Sequence, residues 1–146
     1  MIDSRISPPY ATLVLRVSLG LMFVAHGLLK AMVFTLPGTA TFFESVGFPG
    51  FLAYVVVPFE IVAGTLVILG VRTRAVALLS IPLLLGAMSV HLSNGWFFAS
   101  PNGGWEYPVF LVVLAIVQAL LGDGAYALKP ALFAVRKRTD VVCGCS

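Results

Sequence analysis

The sequence predicts an all-α protein, a membrane-embedded antiparallel four-helix bundle with both termini in the cytoplasm. Hydrophobic residues make up 60% of the 146 residues and charged residues only 10%, whereas soluble domains carry about 25% charged residues. The mean hydropathy of +1.03 requires much of the surface to face lipid rather than water. The apolar residues form four predicted spans, at about 10–36, 51–69, 75–93 and 106–121.

The first span follows Pro8-Pro9, which favour a helix start, and it is apolar except at Arg16, His26 and Lys30. Pro37-Gly38 ends it. The next stretch, TATFFESVGFPG, is too short to cross a bilayer. We therefore expect an outer loop with one interfacial helical turn that carries Phe42 and Phe43 into the headgroups.

The second span contains Glu60 and closes at Gly70. The basic turn VRTR leads directly into the third span. A loop of turn-forming and aromatic residues at 94–105 is typical of a membrane interface, and the fourth span after it is the shortest. We interpret residues 1–124 as one four-span domain and 125–146 as a basic cytoplasmic tail that ends CGCS.

The orientation follows from the distribution of Lys and Arg, which concentrate on the cytoplasmic side of membrane proteins. In this layout only Lys30 lies toward the outer side. The other eight lie toward the inner side: Arg5, Arg16, Arg72, Arg74, Lys129, Arg136, Lys137 and Arg138. This placement explains the net charge of +3 without nucleic-acid binding, and it favours contact with anionic membrane lipid.

Two of the intramembrane charges are predicted to pair near the inner side. With a rise of about 1.5 Å per residue, Arg16 lies roughly 9 Å from Tyr10 along the first span, and Glu60 roughly 13 Å from Leu69 along the second. A charge at mid-bilayer costs about 2.5 to 3.5 kcal/mol, so it usually has a partner or a function. Arg16 and Glu60 are therefore candidates for proton-handling catalytic residues or for a structural ion pair between the two spans.

A second polar group is predicted near the outer side. His26 and His91 each lie about 24 to 26 Å above the start of their spans. Lys30 follows His26 by four residues and Asn94 follows His91 by three, so each shares a helix face with its histidine. Glu106 opens the fourth span from the same side. We predict that these five residues bind a ligand.

Three interpretations of this outer group remain open. It could hydrogen-bond a polar headgroup such as the carbonyls of a quinone, because ligand sites combine an apolar wall with a few placed polar groups. Two imidazoles with a carboxylate would also suit Zn or Fe, but no H-x-x-x-H pair lies in one helix, so no metal is predicted. The third interpretation is purely structural.

The glycines and cysteines give further expectations. Glycine allows close approach of membrane helices, and we expect this at Gly20, Gly27, Gly64, Gly70 and Gly86. Cys143 and Cys145 could form a redox dithiol or bind a soft metal, although reduced thiols in a cytoplasmic tail are the simpler interpretation.

Four strings of the sequence resemble the DoxX family of small bacterial membrane proteins: LRVSLGLMFVAHGLLK, FFESVGFPG, PFEIVAGTLVILGVRTRAVAL and EYP. The resemblance covers about residues 10–122. The family's characteristic polar and glycine positions correspond to Arg16, His26, Gly27, Lys30, Glu60, Gly64, Gly70, Arg72, Thr73, Arg74 and Glu106. The chain departs from the family at GDGAYALKP, where a Gly-rich turn leading to Ser-Leu-Asp is usual.

The resemblance implies a four-helix protein of the bacterial cytoplasmic membrane. It further implies a subunit that passes electrons from sulfur compounds such as thiosulfate to quinone, or one linked to oxidative stress. We therefore expect a quinone-associated redox subunit whose electrons come from a soluble partner at the cytoplasmic face. The alternatives are a non-catalytic anchor for a soluble redox enzyme and, less favoured, a small-solute transporter, which would have to form a homo-oligomer to enclose a pathway.

Overall fold

The computed structural model describes residues 7–128 of the chain. Within them the chain forms five α-helices and no strand: α1 (Ser7–Met32), α2 (Leu36–Ser45), α3 (Ala53–Leu69), α4 (Thr73–His91) and α5 (Glu106–Leu121). Short 3-10 turns precede α3 at Gly50–Leu52 and follow α4 at Leu92–Asn94. The predicted features of residues 129–146, including both cysteines, lie outside the described residues.

Three helical segments are long and apolar enough to cross a membrane: Pro8–Met32, Gly50–Leu69 and Thr73–Asn94. The prediction of an all-helical chain with apolar spans is confirmed. α5 has the predicted bounds but only 16 residues, fewer than the roughly 20 that a perpendicular crossing needs. A fourth span and the positions of the termini stay predictions.

The connection after α1 differs from the expected loop. α1 ends at Met32, four residues earlier than predicted, and α2 is a helix of ten residues rather than a single turn. The Thr35 hydroxyl accepts a hydrogen bond from the backbone N–H of Gly38, so it caps α2 as short polar side chains do. Thr39 is buried and donates to the carbonyl of Thr35 at 2.9 Å and to that of Lys30 at 3.3 Å. α2 is thereby fastened to the end of α1.

Helices α1 and α3 pack closely at two facing glycines. A Cβ on Gly64 would lie 2.6 Å from the carbonyl oxygen of Gly20, and a Cβ on Gly27 would lie 3.2 Å from the Cβ of Glu60. Gly20 contacts Gly64, whereas Gly27, later in α1, contacts Glu60, earlier in α3. The two helices are therefore antiparallel. Gly86 does not share this role, because a Cβ there meets nothing within 4 Å. The expectation of close helix approach at Gly86 is therefore wrong.

Helices α4 and α5 form the second tightly packed pair. Contacts between the two pairs are fewer and form two apolar clusters. One cluster joins α1 to α4 and α5 through Leu19, Phe23, Leu84, Leu111, Val112 and Ala115. The other joins α3 to α4 through Ala63, Val67 and Val76. We use "inner end" for the end where α1 begins and α3 meets α4, and "outer end" for the opposite end.

The glycine contact gives a stability prediction. Gly64→Ala should lower the free energy of unfolding by about 1 to 3 kcal/mol, because the added methyl overpacks the interface between α1 and α3. The matched variant Gly86→Ala should leave it unchanged or raise it by about 1 kcal/mol, because alanine is the better helix former. Thermal unfolding of both variants in one detergent measures the difference. Equal effects of the two substitutions would contradict the close contact at Gly64.

Candidate functional site

The central feature at the outer end is an ion pair between α1 and α3. The ammonium of Lys30 donates to Oε1 of Glu60 at 2.5 Å. Glu60 is 3% exposed, and its second oxygen, Oε2, is buried without a hydrogen-bond partner in the described chain. A buried acceptor without a partner carries a free-energy cost of about 1 to 3 kcal/mol. The pair thus fixes one oxygen of the carboxylate and leaves the other able to bind something else.

The predicted pairing of Arg16 with Glu60 is wrong. The structure places Arg16 at the level of Gly70, because a Cβ added to Gly70 would overlap with the guanidinium of Arg16. The prediction counted depth from Tyr10 and Leu69 as if they were level, but α1 extends further toward the inner end than α3. Eleven residues separate Arg16 from Gly27, the neighbour of Glu60, and this corresponds to roughly 16 Å along the helix.

Arg16 instead holds the inner turn, the segment 122–128 after α5. Its side chain is 1% exposed and donates to the backbone carbonyls of Asp123 and of Ala125, the latter at 3.2 Å. The carboxylate of Asp123 accepts from the backbone N–H of Thr73 at 3.2 Å, where negative charge favours the start of α4. Arg16 is therefore a structural residue at the inner end.

The inner turn also makes backbone hydrogen bonds to two helices. The N–H of Ala125 donates to the carbonyl of Pro9 at 3.1 Å, and that of Leu128 donates to the carbonyl of Leu69 at 2.9 Å. Residues 125–128, expected at the start of the tail, therefore pack against the beginning of α1 and the end of α3.

A cavity of about 360 Å³ lies between the two helix pairs at the outer end, and all five helices line it. Its walls are mostly apolar, with Phe42 and Phe43 of α2 on one side and Leu83 and Val90 of α4 among the others. Five of its lining residues are ionisable: His26, Lys30, Glu60, His91 and Tyr107. The structure thus brings three of the five predicted ligand-binding residues together and adds Glu60 to them.

His26 is held in one orientation on the cavity wall. Its Nδ1 lies 2.9 Å from the carbonyl oxygen of Met22. A carbonyl can only accept, so Nδ1 carries the proton and, in the neutral ring, Nε2 keeps a lone pair. The ring stacks on Tyr107 of α5, with centroids 6.3 Å apart and an interplanar angle of 23°.

His91 lies at the end of α4 and contacts the loop that follows. Its Nδ1 lies 3.1 Å from the carbonyl oxygen of Asn102 and 3.2 Å from that of Gly103. The side-chain amide nitrogen of Asn94 lies 3.4 Å from the same atom, so Nδ1 has both acceptors and a donor around it. His91 thus connects the cavity to the loop between α4 and α5.

The remaining two predicted residues lie beside the cavity rather than on its wall. The side-chain amide of Asn94 donates to the carbonyl of Asn102 at 3.2 Å and so supports the loop that holds His91. Glu106 is half-buried, and its backbone N–H donates to the carbonyl of Trp96 at 3.0 Å. Neither lines the cavity, although both belong to the segment that closes its outer end.

Sequence reasoning missed Tyr107 and the aromatic wall supplied by α2. Tyr107 stands next to Glu106 in the string EYP, and an aromatic residue one position after a predicted polar site was the only signal. Phe43 and Phe48 follow α1 in a segment expected to lie at the membrane surface. No group of three or more His, Cys, Asp or Glu that could hold a metal ion occurs in the described part of the chain.

Removal of the Arg16 guanidinium should destabilise the inner end. Arg16→Gln is expected to lower the free energy of unfolding by about 1 to 3 kcal/mol, because buried carbonyls lose their charged donor. Cleavage within the inner turn by an added protease should become faster. Thr65→Val is the control, because Thr65 is exposed and bonds only to its own helix. Unchanged unfolding and proteolysis in Arg16→Gln would contradict the structural role.

The ion pair should appear as an interaction energy in a double-mutant cycle. Lys30→Met should lower the free energy of unfolding by up to about 3 kcal/mol, because it leaves a buried carboxylate unpaired. Glu60→Gln should lower the free energy of unfolding by less. The charge left unpaired in that variant is that of Lys30, whose side chain is 24% exposed and can reach a polar surface. The double variant should be more stable than Lys30→Met alone. Strictly additive losses in thermal unfolding would rule out the pair.

Comparison with known proteins agrees with this architecture. The DoxX family profile matches residues 11–93. A Bacillus subtilis (strain 168) protein named "Putative oxidoreductase CatD" is 37% identical over 130 residues, which cover 89% of this chain and 92% of that protein. A Haemophilus influenzae protein named "Uncharacterized protein" is 33% identical over 128 residues, or 86% of this chain and 92% of that one. No solved structure matches the chain. With a family match over more than half of its length and three apolar helices long enough to cross a bilayer, the chain belongs to the DoxX family of membrane proteins.

Proposed function

We propose that this protein is a quinone-associated subunit of a membrane redox system and that the outer cavity holds the quinone ring. The observation that carries the proposal is the buried Glu60 oxygen without a partner in a cavity whose other walls are apolar. Binding sites for small molecules combine such walls with a few placed polar groups. A quinone is likewise apolar except at its ring oxygens, which become hydroxyls on reduction and can then donate to the Glu60 oxygen.

The chemistry of quinone reduction fits the residues on the wall. Reduction adds two electrons and two protons to the ring oxygens, so it requires ionisable groups close to them. Glu60 and Lys30 supply an acid-base pair, and the Nε2 atom of His26 supplies a third exchange site. The electrons come from a partner protein, in keeping with the oxidoreductase name of the Bacillus subtilis relative.

We further propose four spans, with both termini on the cytoplasmic side of the bacterial inner membrane. The excess of Lys and Arg at the inner end supports this orientation. Phe97 and Phe98, which are 69% and 68% exposed in the loop before α5, would then lie at the outer headgroup region. The turns that flank α5, together with local thinning of the bilayer, would let its 16 residues cross.

A second candidate function is a membrane anchor for a soluble redox enzyme. It is favoured by the exposed side chains of Arg72 and Arg74 at the inner end, where an acidic partner could dock. Arg16 and Lys30 are 14 residues apart, which separates this inner surface from the cavity by roughly 20 Å along α1. A docking surface and a ligand site can therefore act independently. We propose sulfur-compound oxidation or oxidative-stress defence as the system to which such a partner belongs, in keeping with the family resemblance.

Quinone retention tests the primary proposal. Wild-type protein purified in mild detergent should retain quinone, measured as a molar ratio by mass spectrometry. Gly86→Leu should reduce retention at least tenfold, because position 86 lines the cavity and has open space for a side chain. Thr65→Val is the control, since Thr65 is exposed on α3 and bonds only to its own helix.

The same preparations distinguish the alternative function. Absence of quinone from wild type, together with no binding of an added short-chain quinone, would reject the primary proposal. Recovery of a soluble partner by full-length protein, but not by a chain truncated after Leu128, would then support the anchor.

A further inference from the structure

The polar groups of the outer cavity include acceptors that have no partner. Two atoms of the described chain are of this kind: Oε2 of Glu60, which is buried, and Nε2 of His26 in the neutral ring. As the partner of a protonated Lys30, Glu60 is a carboxylate, and both of its oxygens accept. The donors are Lys30, one of whose three N–H groups is already used by Oε1, and the hydroxyl of Tyr107, which also lines the cavity.

The backbone makes His26 an acceptor toward a ligand. The carbonyl of Met22 fixes the proton of His26 on Nδ1. A neutral imidazole has one donor and one acceptor nitrogen. Because the protein itself uses the donor of His26, this ring can offer a ligand only its acceptor.

A quinone and its quinol differ in whether they can donate a hydrogen bond. The carbonyl oxygens of a quinone only accept hydrogen bonds, so a quinone can engage Lys30 or Tyr107 but leaves the Glu60 oxygen and Nε2 of His26 unpaired. Each hydroxyl of a quinol both donates and accepts. A quinol can therefore donate to Glu60 or His26 while the same oxygen accepts from Lys30.

From this difference we infer that the outer cavity is selective for the reduced, hydroxyl-bearing form of its aromatic ligand. The inference rests on the proposed function and specifies which redox state the site prefers. Sites with buried groups that pair with a ligand hydroxyl discriminate strongly against the analogue that lacks it, because those groups then lose their partners. Stacking of His26 on Tyr107 fixes the imidazole that makes this distinction.

Binding measurements with a matched redox pair test the inference. Full-length protein in detergent is titrated without oxygen at pH 8, where an ordinary imidazole is neutral, with ubiquinone-1 and separately with ubiquinol-1. Both affinities are corrected for partition into protein-free micelles. The dissociation constant for the quinol should be at least tenfold lower than that for the quinone. For a two-electron couple, this ratio raises the midpoint potential of the bound ligand by about 30 mV.

Two variants assign the selectivity to particular atoms. His26→Phe keeps a stacking ring but lacks Nε2, so it should weaken quinol binding and leave quinone binding unchanged. Glu60→Gln replaces an acceptor with an amide that can donate, so the preference for quinol should shrink or reverse. Thr65→Val should behave as wild type. Selectivity that persists in both cavity variants would overturn the assignment to these acceptors.

The outcomes separate this inference from the proposal beneath it. Equal binding of both forms, or tighter binding of the quinone, would refute redox selectivity and leave the quinone site standing. Failure of wild type to bind either form would reject the quinone site, and the inference with it.

Discussion

The contact between α1 and α3 at Gly20 and Gly64 is the constraint on which the rest of the structure depends. Without side chains at these positions the two backbones come close enough for Lys30 to reach Glu60 across the interface. Two charges in an apolar environment are tolerated because each neutralises the other. The close packing and the ion pair therefore belong together: the glycines set the distance, and the pair fixes the relative rotation of the helices at the outer end.

The two ends of the molecule use polar groups differently. At the inner end Arg16 and Asp123 bind backbone groups of the inner turn and α4. Three buried side-chain atoms at that end still have no partner in the described chain: Nε of Arg16, Oγ1 of Thr73 and Oε1 of Gln118. At the outer end the helix pairs separate, α2 covers part of the gap, and the unpartnered oxygen of Glu60 belongs to a residue that lines a mostly apolar cavity. The outer end is therefore distinguished by this cavity and not by a lack of partners alone.

Much of this architecture could be predicted from the sequence, because apolar segments and their breakers determine helices almost directly. The bounds of α5 were predicted to the residue, and His26, Lys30 and His91, which were predicted to lie close together, line one cavity. Pairing between helices could not be predicted equally well. The offset between α1 and α3 moves Glu60 from the inner to the outer group, and helical rise carries no information about offset. Tyr107 has no periodic signal, since only the packing of α5 against α1 brings it to His26.

The 360 Å³ cavity also has a consequence for how much of this protein a cell contains. A ligand that binds only the folded chain stabilises it by mass action, by about 2.7 kcal/mol at a concentration one hundred times its dissociation constant. Membrane proteases remove unfolded chains, so a ligand of this kind would make the abundance of the protein follow the fraction of chains whose cavity is filled. The size and composition of the lipid-soluble pool that fills it would then set the lifetime of the protein, without any change in its synthesis.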